Sequence, residues 1–306
     1  MAQVGLIGLG AMGSGMAQSL RRAGHAPCVF DVRTEVAVAF AEGGGTACAS
    51  LPALGSQCDV VISVVVNAAQ TEAVLFGAGH DGSGSSGSSG AVHTMRRGSV
   101  FVMCSTVDPN WSVALDKRLA DMGILYIDAP ISGGAAKATS GQMTMMTAGC
   151  DAAYAVAEPF LSAMAGKVYK LGNCAGAGSK VKIINQLLAG VHIAAAAEAM
   201  ALGLREGVDP HALYDVITHS AGNSWMFENR MAHVLAADYT PLSAVDIFVK
   251  DLGLVLDMAR ASKFPLPLSS TAHQMFMQAS TAGFAREDDS AVIKIFPGIE
   301  LPAAKT

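Results

Sequence analysis

Three glycines near the start of the 306-residue chain are spaced for phosphate chemistry. Val4-Gly5-Leu6-Ile7 reads as a buried strand, and it runs straight into Gly8-Leu9-Gly10-Ala11-Met12-Gly13. In such a G-x-G-x-x-G turn the first glycine permits the tight bend and the second lets backbone approach a pyrophosphate. The third lets helix and strand pack closely. The helix that follows offers unpaired N–H groups to phosphate oxygens. Asp31 ends the next strand, 18 residues beyond Gly13, where a carboxylate accepts from a ribose 2′-hydroxyl. The same carboxylate repels a 2′-phosphate, and the next residue is Val32 rather than a base, with Arg33 one further. The expected cofactor is therefore NAD rather than NADP. No metal is expected, because Cys28, Cys48, Cys58, Cys104, Cys150 and Cys174 are scattered without a C-x-x-C, and the eight histidines form no H-E-x-x-H.

The elements that must position this turn can be read from the hydrophobic pattern. Val4–Ile7, Cys28–Phe30, Val60–Val66, Ser99–Met103, Ile124–Ile127, Met143–Thr147 and Val168–Tyr169 read as strands, alternating with helices over Met12–Ala23, Thr34–Ala41, Asn110–Met122 and Ala152–Met164. Near-continuous apolar runs such as Val60 to Val66 suit strands covered on both faces, as in a parallel sheet. The expected fold is α/β, with an N-terminal doubly wound Rossmann-type domain over 1–175. After Gly178 the pattern becomes helical only. Ser179–Glu206 predicts one helix of about 28 residues and roughly 42 Å. Its charges lie at its ends and at Glu198, so most of its circumference is expected to be buried. Pro210–His219, with Asp209 as cap, Val245–Ala261 and Ser269–Ala282 follow. This second domain, 176–306, is expected to be all-helical and joined to the first by the long helix. Gly79–Gly90, almost entirely Gly and Ser, is expected to be a flexible surface loop.

Four segments in register carry a family resemblance. They are the N-terminal GLIGLGAMGSGMAQSLRRAGH, Asp128-Ala129-Pro130-Ile131-Ser132-Gly133-Gly134, Gly176-Ala177-Gly178-Ser179-Lys180-Val181-Lys182-Ile183-Ile184-Asn185-Gln186, and Asp246-Ile247-Phe248-Val249-Lys250-Asp251-Leu252. Together they resemble the β-hydroxyacid dehydrogenase family, related to 3-hydroxyisobutyrate dehydrogenase, from about Val4 to Ala282. The resemblance implies oxidation of a small hydroxy acid by NAD, with Lys182 exchanging the hydroxyl proton. A lysine one turn into the connecting helix, desolvated and near an oxidised nicotinamide, suits that role. Lys180, two positions away, is expected on a solvated face. Ser132, Gly133 and Gly134 offer a hydroxyl and unobstructed N–H groups to the acid. The matching cofactor positions are Gly8, Leu9, Gly10, Ala11, Met12, Gly13, Asp31, Val64, Val65, Thr106 and Lys250. Read alone, Ser105-Thr106 would cap the helix before Pro109.

Departures from the family pattern narrow the substrate. Four residues after the lysine the family has Asn, whereas here Asn185 comes one early and Gln186 takes the place; both are candidate substrate contacts. Ser243 stands seven before Lys250, where many members carry Phe. Polar residues here favour a longer, more hydroxylated acid than 3-hydroxyisobutyrate, because buried hydroxyls need partners. Asn223, Ser224 and Trp225, in a segment unusual for the family, add pocket candidates, while Trp225, Met226 and Phe227 would otherwise anchor the helical domain. The expected substrate is a four-carbon sugar acid oxidised at C2. Siblings acting on tartronate semialdehyde or 3-hydroxyisobutyrate are the alternatives, and a cofactor-binding scaffold without turnover is a third. A net charge of −5, unclustered, argues against a nucleic-acid partner. Mean hydropathy of +0.39 raises a membrane, but the longest charge-free apolar run, Ile183 to Ala197, is 15 residues and holds Asn185, Gln186 and His192. No basic segment precedes the first apolar stretch, so a cytoplasmic enzyme is expected. A helix this apolar then points to a homo-oligomer, dimer or tetramer, formed through the helical domain.

Overall fold

In a computed structural model, residues 2–77 and 90–303 are described; the Gly/Ser stretch, apart from Gly90, lies outside them. The chain divides into two compact units between Lys182 and Ile183, inside a helix.

The first unit is built on strands β1 (Val4–Ile7), β2 (Cys28–Phe30), β3 (Thr46–Ala47), β4 (Val60–Ser63), β5 (Val100–Met103), β6 (Leu125–Asp128), β7 (Ile131–Ser132), β8 (Met143–Gly149) and β9 (Ala165–Lys170). The helices between them are α1 (Ala11–Arg22), α2 (Thr34–Glu42), α3 (Leu51–Gln57), α4 (Ala68–Phe76), α5 (Pro109–Asp121), α6 (Gly134–Ser140) and α7 (Asp151–Met164). Strand order is β3-β2-β1-β4-β5-β6-β8-β7, and β3 through β6 are parallel. Every residue of β1, β4 and β5 is buried, as their unbroken apolar character requires. One face of the sheet carries Leu6, Ile62, Val102 and Ile127 against Met16, Leu20, Phe160 and Leu161. The other carries Val61, Phe101 and Tyr126 against Leu54, Leu115 and Leu119.

The expected strand Val60–Val66 ends early, at Ser63. Val64 N–H still donates to Ile7 O at 2.8 Å, but the chain then leaves the sheet toward α4, which Asn67 caps. The sheet is also not parallel throughout. Only Ala129 and Pro130 separate β6 from β7, and α6 reverses the chain, so β8 runs antiparallel to both.

The second unit contains most of helix α8 (Ala177–Arg205), with α9 (Pro210–Thr218), α10 (Trp225–Ala236), α11 (Val245–Ser262) and α12 (Pro267–Ala279), then a 3₁₀ segment, Asp289–Ile295. Among its described residues no strand occurs; Ala244 and Asp288 form an isolated bridge. Helical periodicity dictates the packing. Ile183, Ile193, Ala197 and Met200 of α8 meet Phe227, Met231 and Val234 of α10, Phe248, Leu252 and Val255 of α11, and Ala272 and Phe276 of α12. Phe248 and Phe276 stack with ring centroids 5.1 Å apart. The expectation that α8 is wrapped around most of its circumference does not hold within the chain. Ile184, Leu188 and Leu202 are each more than half exposed, and His192, Ala195 and Ala199 continue the same stripe. These residues recur every three or four positions and so share one face.

Candidate active site

In the first unit the candidate residues gather where the parallel strands end. Gly8 holds φ +93°, its N–H donates to Phe30 O at 2.9 Å, and a Cβ on Gly13 would lie 1.8 Å from Gly8 O. No other residue permits that contact. Leu9 turns its side chain into the core, so only its backbone is available at the turn. Its N–H donates to Asp31 Oδ2 at 2.7 Å, while Asp31 Oδ1 accepts from Arg33 N–H at 2.9 Å and from Arg33 Nε at 3.2 Å. Burial pushes Asp31 upward, but these bonds outweigh it and hold the carboxyl below the usual range. Arg33 is thus paired with Asp31 rather than turned toward a phosphate position.

Val64 and Val65 follow β4, and Thr106 follows β5. Ser105 joins the two loops, bonding Val65 O at 2.8 Å and the Thr71 hydroxyl at 3.0 Å. Ser105 does not cap α5; Asp108 does, accepting from Asn110 and Trp111 N–H at 2.8 and 3.0 Å.

In the sequence Asp128 opens a motif without an evident role of its own. It is fully buried at the end of β6. Its Oδ2 accepts from Gly176 and Ser179 N–H, both at 2.9 Å, and its Oδ1 from the Ser179 hydroxyl at 2.7 Å. Asp128 therefore serves as N-cap of α8 from a distant strand, although burial pushes its carboxyl above the usual range. One turn beyond that cap stands Lys182, buried, while Lys180 is exposed. Three residues beyond Asp128, on the other side of the tether, Ile131 opens β7; Ser132 closes it, and Gly133 and Gly134 follow with φ +139° and +75°. One carboxylate thus ties the start of the lysine-bearing helix to the strand end that leads, three residues later, into the Ser-Gly-Gly turn.

A dinucleotide fits this unit. A Cβ on Gly10 or on Gly134 would meet nothing within 4 Å, so both stretches of backbone face open space, and α1 begins without a side-chain cap on its N–H groups.

In the second unit Asn185 and Gln186 lie beside Lys250 and Asp251. Asn185 Nδ2 donates to Gln186 Oε1 at 3.1 Å, Gln186 Nε2 donates to Asp251 Oδ2 at 2.6 Å, and Lys250 Nζ donates to Asp251 Oδ1. Asp251 is the second residue sequence reasoning passed over. The signal in both cases is an acid inside an apolar run, LYIDAPI and FVKDLGLVL. The segment around Trp225 separates into different roles. Asn223 Nδ2 donates to Thr218 O at 3.1 Å, and the Ser224 hydroxyl caps α10 by accepting from Phe227 N–H at 3.0 Å. Phe227 is buried and stacks on Tyr214, but Trp225 is 53% exposed, on a hollow of about 270 Å³ shared with Glu228, Asn229, Ala232 and His233. Neither Asn223 nor Ser224 lines that hollow.

Two family models match end to end. Residues 3–172 match the NAD-binding domain of 6-phosphogluconate dehydrogenase, and residues 176–296 match the segment described as NAD-binding of NADP-dependent 3-hydroxyisobutyrate dehydrogenase. The chain belongs to the β-hydroxyacid dehydrogenase family. Within this family it is 68% identical to L-threonate dehydrogenase of Cupriavidus necator, over 98% of this chain and 97% of that one. It is 50% identical to L-threonate dehydrogenase of Escherichia coli K12, over 99% and 97%. A crystal structure of 3-hydroxyisobutyrate dehydrogenase from Salmonella typhimurium superposes with a TM-score of 0.90 at 49% identity, covering 97% of this chain and all of that one. The chain is accordingly an NAD-dependent dehydrogenase with a Rossmann-type domain followed by a helical one.

Proposed function

We propose that this β-hydroxyacid dehydrogenase oxidises L-threonate at its C2 hydroxyl to 2-oxo-tetronate, with Lys182 as the acid–base group. The observation that carries the reading is the 68% identity to an L-threonate dehydrogenase over almost the whole chain. The polar Asn185-Gln186 pair, where an acid with several hydroxyls needs partners, supports it independently.

Gly8, Gly10 and Gly13, with the first turn of α1, hold the pyrophosphate, and Asp31 accepts from the adenosine ribose. Val64, Val65, Thr106 and Lys250 complete the cofactor seat. Bound NAD supplies a two-electron acceptor for the hydrogen on C2. The chain's own residues do the rest. The Ser132 hydroxyl and the Gly133 and Gly134 N–H groups hold the acid's carboxylate. Lys182, unprotonated, takes the hydroxyl proton as the carbonyl forms, and releases it to solvent afterwards. The Asp128 tether keeps Lys182 and the Ser-Gly-Gly turn at a fixed separation, which is the positioning such a step needs. Because Asp31 already accepts from Leu9 and Arg33, it stays ionised and disfavours a 2′-phosphate, so NAD is preferred over NADP.

A panel of C3 and C4 hydroxy acids with NAD and with NADP, followed by absorbance of the reduced nicotinamide, tests the reading. L-threonate with NAD is expected to give the highest kcat/KM. Preference for 3-hydroxyisobutyrate, the acid in the Salmonella relative's name, would replace it. Lys182→Ala is expected to lower kcat about 10²- to 10⁴-fold with NADH binding retained; a variant keeping most of its kcat removes Lys182 from the role.

We also infer that a second copy of this chain covers the exposed stripe of Ile184, Leu188 and Leu202 on α8, making the enzyme a homo-oligomer. Light scattering is expected to give a dimer or tetramer, and a monomer would refute it. The proposed compartment is the cytoplasm, which suits a chain whose six cysteines are all free.

A further inference from the structure

Asp251 is a carboxylate only 2% exposed, and it faces two donors at once. Its Oδ1 accepts from the Lys250 ammonium and its Oδ2 from the Gln186 amide at 2.6 Å. Gln186 in turn accepts at Oε1 from Asn185 Nδ2 at 3.1 Å. The direction of this line is forced. An ionised carboxylate only accepts, so Gln186 must turn its NH₂ toward Asp251 and its oxygen away. Asn185 must then turn its own NH₂ toward that oxygen. Asn185 and Gln186 stand three and four residues beyond Lys182 on α8, on the helix face that carries it.

We infer that Asp251 is a positioning residue that sets the polarity of these two amides, so that their oxygens and not their NH₂ groups are presented to the hydroxyls of the acid. The inference rests on the reading of Asn185 and Gln186 as acid-binding and of Lys250 as a cofactor residue, and adds to it a direction for each hydrogen bond. Oxygen acceptors suit a polyhydroxylated acid, whose hydroxyls donate. An asparagine at 251 keeps the shape but has one acceptor for two donors. The charged Lys250 takes that oxygen, because a charge-assisted bond is the stronger. Gln186 then faces an NH₂ and turns over, Asn185 turns after it, and the surface offers donors where it offered acceptors.

The test measures two affinities by NADH fluorescence: NADH for the free enzyme, and L-threonate for the enzyme–NADH complex, a pair that cannot react. Asp251→Asn is expected to weaken L-threonate binding by at least about tenfold, with KM rising more than kcat falls. Lys250→Met/Asp251→Asn removes the competing donor and returns the oxygen of the new asparagine to Gln186. Its L-threonate affinity is expected to recover to that of Lys250→Met, and the two are expected to share one NADH affinity. A purely structural role predicts the opposite, with the double variant worse than either single one. Should Asp251→Asn fail to fold, Gln186→Glu decides. Its carboxylate opposes Asp251 when ionised and donates to it when protonated, so acid affinity is expected to rise steeply from pH 8 to pH 5.5 relative to wild type.

Equal affinity of wild type and Asp251→Asn, an unrecovered double variant, or a Gln186→Glu profile parallel to wild type would each overturn the inference. If wild type ignores L-threonate and takes another acid of the panel, the substrate reading fails and the same variants are judged with that acid. If it takes none, both readings fall.

Discussion

The two units treat buried charge differently. In the first, Asp31 and Asp128 are held mainly by backbone N–H groups, those of Leu9 and Arg33 and those of Gly176 and Ser179. In the second, Asp289 is held by Arg230 and Asp251 by Lys250 and Gln186, side chain to side chain. Asp288 mixes the two modes, accepting from His233 and the Ser290 hydroxyl and also from the Leu242 and Ser290 N–H groups. A carboxylate bonded to backbone fixes the path of the chain and places loops; a carboxylate bonded to side chains fixes rotamers and amide directions. The first arrangement suits turns whose backbone must stay in place, and the second suits side chains whose direction matters.

Removing an acid from each unit probes this contrast. The largest loss is expected from Asp289→Ala, which strands the buried Arg230 guanidinium without its bidentate partner. Urea denaturation should show about 3–5 kcal/mol. Asp128→Ala leaves neutral groups, two N–H and one hydroxyl, and should cost less, about 2–3 kcal/mol, while kcat falls because Lys182 loses its fixed base. A greater cost for Asp128→Ala than for Asp289→Ala would break the comparison. Asp31→Ala should weaken NADH binding about tenfold and narrow the preference for NAD over NADP, both read by fluorescence titration. It should cost about 1–2 kcal/mol of stability, less than Asp128→Ala, because only the Leu9 N–H it leaves behind is buried.

The smallest effect concerns pH. The bond from Asp288 raises His233 above its ordinary value against its burial. Burial pushes Asp288 up, but the His233 and Ser290 bonds prevail and bring it down to about 2. The His233 contribution is complete below its ordinary 6.5 and is lost as pH rises through its raised value. That of Asp288 is complete above 3.8 and is lost as pH falls toward 2. His233→Gln should therefore lower Tm between pH 4 and 6.5 and converge on wild type above, a difference under about 1 kcal/mol. A Tm offset that does not vary with pH would show that the ion pair is not its source.

The same contrast explains what was legible in the sequence. Most backbone-built parts leave a composition signature: the glycine turn, Asp31 and the buried strands are readable from type and spacing, whereas Asp128, also bonded to backbone, is marked only as an acid inside an apolar run. Side-chain networks leave less: an acid inside an apolar run marks Asp251, but Gln186 is 65 residues away and nothing in either neighbourhood names the other. Short elements escaped for local reasons. Strands β3 and β7 have two residues each, too few for alternation. Helix α3 holds Pro52 and Gly55, the latter with no room for a Cβ, which would lie 2.3 Å from Ala91 O. Helix α10 does not stand out because its first residues, Trp225-Met226-Phe227, suit a pocket or an anchor of the helical domain equally well by type. The exposed stripe of α8 could not be seen either, since apolar residues alone do not tell which face a single chain covers.

The Asp128 cap also sets an order of assembly. Its partners lie 48 and 51 residues downstream. Most of α8 can propagate turn by turn, but its first turn is completed only once β6 is seated. The surroundings of Lys182 should therefore be among the last to form, so the chain completes its parallel sheet before the helix end proposed to react. In pulsed hydrogen exchange during refolding, the Ser179 amide should gain protection later than that of Ile193. Simultaneous protection would mean that the helix sets its own first turn and the sheet merely receives it.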